Sequence, residues 1–230
     1  MTFRAAGTSL NGQAMGDDIL VDVKTHFGGM EVREEGRKLW SRPGVILGDA
    51  QAVLSRHGFM LGPDPGSTSV CTIGGVLADN SGGMRCSLER DSYHSIEELI
   101  FVLPSGTIVD TSRGDEVFRK QEPKLHADLL AFRDKLRANT EMVDFLRTKF
   151  SIRNTNGLRI DAFLDEECRG SIIKVAPGFR RMRIVFGRAA HDRGDQEFAG
   201  FRAGFHDGVH VVCGITQVGQ LDPRRGLHTR

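Results

Sequence analysis

Two segments rich in glycine, hydroxyl and amide residues constrain this chain more than any other feature. The first is Arg4-Ala5-Ala6-Gly7-Thr8-Ser9-Leu10-Asn11-Gly12-Gln13. The second begins at Gly62-Pro63-Asp64-Pro65-Gly66 and runs through Thr72-Ile73-Gly74-Gly75-Val76-Leu77-Ala78-Asp79-Asn80-Ser81-Gly82-Gly83. Glycine reaches positive φ and lets a backbone approach a ligand closely. Successive N–H groups in such turns form concavities that hold anions. Ser, Thr, Asn and Gln add neutral hydrogen bonds without placing a carboxylate beside a phosphate. The pair therefore reads as two halves of one cradle for a pyrophosphate-bearing cofactor.

A single glycine-rich loop is usually only a turn. Neither segment is a P-loop, because no Gly-Lys-Ser/Thr follows the glycines, and neither is the G-x-G-x-x-G of a strand–helix dinucleotide fold. Two such loops in this order, with a hairpin and a helix between them, are far more specific than either alone.

Together they resemble the FAD-binding domain of the vanillyl-alcohol-oxidase type, the PCMH-type domain. In that family an R-x-x-G-T-S-x-x-G-Q loop wraps the FAD pyrophosphate and a G-P-D-P…T-I-G-G…N-x-S-G segment completes the site. The strand and turn Leu99-Ile100-Phe101-Val102-Leu103-Pro104-Ser105-Gly106-Thr107 resemble the family's V-L-P-D-G-T, and Asn154-Thr155-Asn156-Gly157 resembles its K-N-T-x-G-Y segment. The likeness is greatest to D-lactate and D-2-hydroxyglutarate dehydrogenases, especially large bacterial ones with an iron–sulfur domain.

The resemblance implies an α+β fold with mixed sheets and helices. It also implies an FAD-dependent dehydrogenase of a D-2-hydroxy acid such as D-lactate or D-2-hydroxyglutarate. Cofactor contacts are implied for Arg4, Gly7, Thr8, Ser9, Asn11, Gly12 and Gln13 in the first loop. Pro65, Gly66, Ser67, Thr72, Ile73, Gly74 and Gly75 would form the second wall, which Asp79, Asn80, Ser81 and Gly82 would close. Thr72 ahead of the glycines suits a short helix start whose free N–H groups face an anion. Asp79 and Gly82 depart from the family's N-N-S-S-G, and a carboxylate at 79 is expected to turn aside or meet a ribose hydroxyl. Arg4 could offset phosphate charge or cover the sheet edge with its stem. The first loop lacks the histidine used for covalent attachment, so FAD would be held noncovalently. Substrate and metal residues of the relatives lie in a downstream cap domain, so no catalytic residue is named and no metal ligand is expected. A stand-alone FAD-binding subunit that needs a partner chain, or a scaffold that has lost its cofactor, remain the alternatives.

Composition fits a globular protein. Lys and Arg total 31 against 30 Asp and Glu, a net charge of +1 that points to neither nucleic acid nor membrane. No run approaches the ~18 apolar residues of a membrane span. Met1-Thr2-Phe3-Arg4 has no basic and apolar leader pattern, so a cytoplasmic location is expected. Cys71, Cys86, Cys168 and Cys213 form no C-x-x-C pair, which argues against iron–sulfur or zinc ligation and for buried thiols. His26, His57 and His94 read as surface or capping residues, and Tyr93 as a core or sheet residue as readily as a flavin contact.

Residues 1–165 read as a partial FAD-binding domain. Ile19-Leu20-Val21-Asp22-Val23 predicts a buried strand, and Met30–Arg33 with Arg37–Ser41 predict a hairpin around Glu34-Glu35-Gly36. Leu47 to His57 predicts a helix ending at Gly58. Leu125, Leu129, Phe132 and Leu136, then Met142, Phe145, Leu146 and Phe150, predict two core-facing helices, the second capped by Asn139 or Thr140. Thr2-Phe3 is short for a strand, and the family's βαβ-like piece ahead of it has no counterpart, so the domain is expected to be incomplete at its N-terminus.

Residues 166–230 change texture. From Cys168 onward there are ten arginines and Lys174 against five acidic residues, with weak periodicity. Gly170-Ser171-Ile172-Ile173-Lys174-Val175 does not match the relatives' G-S-E-G-T-L-G flavin loop. The tail is expected to be irregular. It is either a divergent basic extension with an acidic partner or the product of a frame shift near Glu166 to Cys168. Simultaneous loss of resemblance and pattern motivates the second reading. Val209 to Ile215 is its best strand candidate.

Overall fold

The computed structural model describes residues 2–165 except Asn11, Gln13, Asp18, Arg85, Ser87, Glu89, Pro104 and 153–158, together with three strands between residues 210 and 220. Short apolar runs broken by glycine turns produce four small sheets among the described residues. Helices pack on and beside them, an α+β arrangement.

The first sheet pairs β1 (Thr2–Arg4) in parallel with β2 (Leu20–Asp22), in the register Phe3 to Val21. Residues 5–19 make the crossover that a parallel pair requires. This corrects two expectations. Thr2-Phe3 does enter a strand, because the Thr2 amide donates to the Ile19 carbonyl and the Val23 amide to that of Arg4. The Ile19–Val23 run is not buried throughout, since Ile19 and Leu20 are exposed and only Val23 reaches the core.

The expected hairpin forms from β3 (Met30–Arg33) and β4 (Lys38–Ser41), antiparallel, with Val32 opposite Leu39. A 3₁₀ turn at Glu34–Gly36 joins them. Gly36 has φ +99° and a Cβ there would lie 2.4 Å from His57 Cβ, so the turn is seated on the end of α1 (Leu47–Ser55). His57 is thus a turn neighbour. The chain leaves α1 through Gly58, at φ +78°, into β5 (Phe59–Met60).

Beyond α2 (Ile73–Ala78) and α3 (Ser92–Ser95), β6 (Leu99–Val102) pairs antiparallel with β7 (Ile108–Asp110). The turn closes through Leu103 N–H to the Thr107 carbonyl at 2.9 Å. Then follow α4 (Asp115–Gln121), α5 (Pro123–Ala138), α6 (Thr140–Phe150) and a 3₁₀ turn at Ile160–Phe163. Asn139 caps α6, its side chain accepting from the Met142 amide at 3.0 Å.

One core gathers Leu39, Leu47, Leu54, Ile73, Val76, Leu99, Phe101, Val109, Phe118 and Phe163. The helical stripes enter it only in part. Leu125, Leu129 and Leu136 rest against the core and Leu146 is buried, while Phe132, Met142 and Phe145 stay substantially exposed. A long amphipathic helix at a domain margin buries one edge of its stripe, not the whole width.

The irregular tail is also corrected in part. β8 (His210–Cys213) pairs antiparallel with β6, β9 (Ile215–Gln217) with β4, and β10 (Gly219–Gln220) with β5. The β-branched residues Val211, Val212, Ile215 and Thr216 favour extended backbone, and each strand meets an available sheet edge. The strand candidate at Val209–Ile215 coincides with β8 and the start of β9. The mismatched 170–175 segment lies outside the described residues.

Candidate functional site: two loops joined by a turn

The first loop leaves β1 at Arg4. Gly7 has φ +69°, and a Cβ there would stand 2.9 Å from Arg4 Nε and 3.1 Å from its NH2. The guanidinium therefore folds back over the loop and does not lie along the sheet edge. Gly12 also has φ +72°, a left-handed turn that glycine adopts without strain. Thr8 is exposed and Ser9 half-buried, and no acidic residue occurs from Arg4 to Met15. The loop is cationic and rich in neutral donors, as a phosphate requires. Asn11 and Gln13 lie outside the described residues.

The second loop is positioned by a residue that sequence reasoning missed. Gln51, on α1, donates from Nε2 to the Leu61 carbonyl at 3.0 Å and accepts from the Leu61 amide at 2.9 Å. This clamp fixes where the Gly62–Gly66 segment starts. Gly62 is obligatory, because a Cβ would lie 2.1 Å from the Arg90 carbonyl oxygen. The Asp64 amide donates to the Gly82 carbonyl at 2.8 Å, which ties the two ends of the loop together. Pro65 to Thr68 forms a turn, with the Thr68 amide on the Pro65 carbonyl at 2.9 Å. Gly66, at its tip, is exposed and faces open space. Beneath it the Ser67 hydroxyl reaches the buried Cys71 thiol, whose pKa burial pushes up.

The start of α2 is a correction. Its N–H groups were expected to face an anion, yet all are engaged within the protein. Ile73 donates to the Val45 carbonyl at 2.8 Å and Gly74 to that of Pro43 at 3.0 Å. Gly75 donates to the Thr72 hydroxyl at 3.4 Å. Nor do Gly74 and Gly75 need positive φ, since both sit in the helix. Thr72 caps the helix from a fully buried position.

Those same bonds join the two loops. The Val23 amide, next after β2, holds the Arg4 carbonyl at 3.0 Å. The Val23 carbonyl lies 2.3 Å from where a Cβ on Gly44 would be, so only glycine fits against it. Pro43 and Val45, on either side of Gly44, accept the first amides of α2. The turn at 43–45 thus packs against Val23, beside the start of the first loop, and holds the start of α2 in the second segment.

The 79–83 segment closes the second loop. Asn80, at φ +47°, accepts on its side chain from the Tyr93 amide at 2.9 Å. The Ser92 hydroxyl donates to the Ser81 carbonyl at 2.8 Å. Asp79 turns aside, accepting from the Ser81 hydroxyl at 3.3 Å. Asn80 and Ser81 thus brace α3.

A charged cluster stands behind α3. Asp91 caps it through the His94 amide at 2.9 Å and also meets His94 Nδ1 at 2.7 Å. Arg159 bonds Asp91 through NH1 and Asp161 through Nε and NH2, at 2.9 and 2.6 Å. Its guanidinium centre lies 5.1 Å from the Tyr93 ring centroid and 5.5 Å from that of Phe150. Burial alone would raise the Asp91 carboxyl. The His94 hydrogen bonds and the Arg159 charge outweigh it and hold the group below its ordinary value. The sequence reading placed His94 as a surface or capping residue, but not the pairing of Asp91 with Arg159, 68 residues away.

Residues 1–112 match the FAD binding domain family. Residues 1–112 are an FAD-binding domain. A D-2-hydroxyglutarate dehydrogenase from Pseudomonas putida is 30% identical over 99 residues, which cover 42% of this chain and 10% of that protein. The glycolate oxidase subunit GlcD of Escherichia coli is 36% identical over 96 residues, 40% of this chain and 19% of the subunit. GlcD of Bacillus subtilis is 34% identical over 113 residues, 47% of this chain and 23% of that protein. The chain thus aligns with a quarter or less of the length of each of these. FAD is the cofactor of this domain, and the left-handed glycines, the loop hydroxyls and Arg4 fit its diphosphate. Among the described residues no helix is long and apolar enough to cross a membrane.

Proposed function

We propose that this chain is the FAD-binding portion of a flavin-dependent dehydrogenase acting on a D-2-hydroxy acid such as D-lactate or D-2-hydroxyglutarate. The observation that carries the reading is that one turn, at 43–45, packs beside the first glycine loop and holds the second segment within the matched domain. The names of the relatives support the substrate class, since glycolate and 2-hydroxyglutarate share a hydroxyl beside a carboxylate.

In this reading Arg4 and the backbone at Gly7 and Gly12 hold the diphosphate, with Thr8, Ser9, Asn11 and Gln13 supplying neutral donors. Pro65, Gly66 and Ser67 form the facing wall. Thr72, Ile73, Gly74 and Gly75 support that wall from below, and Asp79, Asn80, Ser81 and Gly82 set its far end. FAD supplies the hydride-accepting ring, so the protein's part is placement and charge compensation. Residues 1–165 form a partial FAD-binding domain, and β8 to β10 add strands to its sheets. Binding is noncovalent and the protein is cytoplasmic.

The test is equilibrium titration of the full chain with FAD, FMN and riboflavin. The reading expects FAD to bind more tightly than FMN and riboflavin, because the site grips a diphosphate. Equal affinity for all three would overturn it. A second reading, a flavin-binding subunit completed by a partner chain, is favoured by the designation of the GlcD relatives as subunits. It expects FAD affinity to rise when that partner is present.

A further inference from the structure

Arg159 lies outside residues 1–112, which match the FAD-binding family, yet it reaches back into that domain. Its NH1 bonds the Asp91 carboxylate while its other nitrogens hold Asp161, and Tyr93 and Phe150 flank its plane. Arg159 and Asp91 retain only 12% and 14% of their side-chain exposure, so solvent screens the pair little. Asp91 caps α3, and two other residues of that short helix tie it to the second segment. The Tyr93 amide bonds Asn80, and the Ser92 hydroxyl bonds the Ser81 and Val76 carbonyls. Gly82, next in the chain, holds the Asp64 amide. A continuous line of bonds therefore runs from Arg159 through Asp91, α3 and Asn80–Gly82 to Asp64.

We propose that Arg159 is a positioning residue for the cofactor wall, its ion pair with Asp91 pressing α3 against residues 79–83 and so setting the Pro65–Ser67 turn. The protein downstream of the matched domain thereby controls the geometry of the second loop. The latch itself stands on the bonds above, and its effect on flavin rests on the function proposed here.

Three full-length variants test it: Arg159→Met, Arg159→Lys and Asp91→Asn. Asparagine still accepts from the His94 amide, so Asp91→Asn removes the charge and keeps the cap. Hydrogen exchange at the Asp64, Ser81 and Tyr93 amides should quicken at least tenfold in Arg159→Met and Asp91→Asn. Amides of the β3–β4 hairpin should quicken less than these three, and Arg159→Lys should fall between. The double variant should exchange no faster than either single one. FAD affinity should drop at least fivefold in Arg159→Met. Unchanged exchange at those three amides, or equal quickening in the hairpin, overturns the latch. Quickened amides with unaltered FAD affinity overturn its role in positioning the cofactor wall. If the wild-type chain binds no FAD while the amides still quicken, the flavin reading fails and the latch stands.

Discussion

Gly7 is the residue on which the first loop turns. Any side chain there faces a left-handed backbone, which costs about 1–2 kcal/mol, and also displaces the Arg4 guanidinium 2.9 Å away. Gly7→Val should weaken FAD binding more than tenfold by fluorescence titration. Ser9→Ala removes one neutral hydrogen bond and should cost about 0.5–1.5 kcal/mol of binding energy in the same assay. Gly75 contrasts with both. It sits in a helix, exposed, with only the Thr72 hydroxyl 3.6 Å from its Cβ position. Gly75→Ala should therefore raise stability by up to about 1 kcal/mol through helix propensity, read as a higher urea midpoint. The residue types at both loops were legible in the sequence. Which glycines are obligatory was not, because that depends on where neighbouring carbonyls lie: those of Arg90 and Val23 leave no room for a Cβ on Gly62 or Gly44.

Among the elements, the hairpin, α1 and the capped α6 follow from local pattern, and they form as expected. The parallel β1–β2 pair and the strands β8 to β10 do not, since each needs a partner distant in sequence. The Arg159–Asp91 bridge is invisible for the same reason. Removing one partner of a buried pair costs about 3 kcal/mol or more, so Arg159→Met should lower the urea midpoint. Acid should do the same. The folded Asp91 carboxyl titrates below its ordinary value of 3.8, so its stabilisation is complete above that pH and is lost as pH falls through the folded value. The stability gap between wild type and Asp91→Asn should therefore be widest near neutrality and narrow on acidification below pH ~4, measured by urea unfolding at each pH.

At the level of the whole molecule, one turn at 43–45 packs beside the first loop and holds the second segment, and one ion pair ties the later helices to that segment. The FAD reading came from motif order, which survives without knowledge of contacts. The helix-start anion site did not survive, because Pro43 and Val45 already accept the amides that an anion would have used. In the proposed function FAD is expected to contact the loop tips and not the start of α2. Hydrogen exchange with and without millimolar FAD measures this directly, even if binding is weak. Added protection should appear at the amides of residues 7–12 and 66–67, with little change at 73–75, which are bonded already. Protection confined to 73–75, or none at either loop, would contradict it.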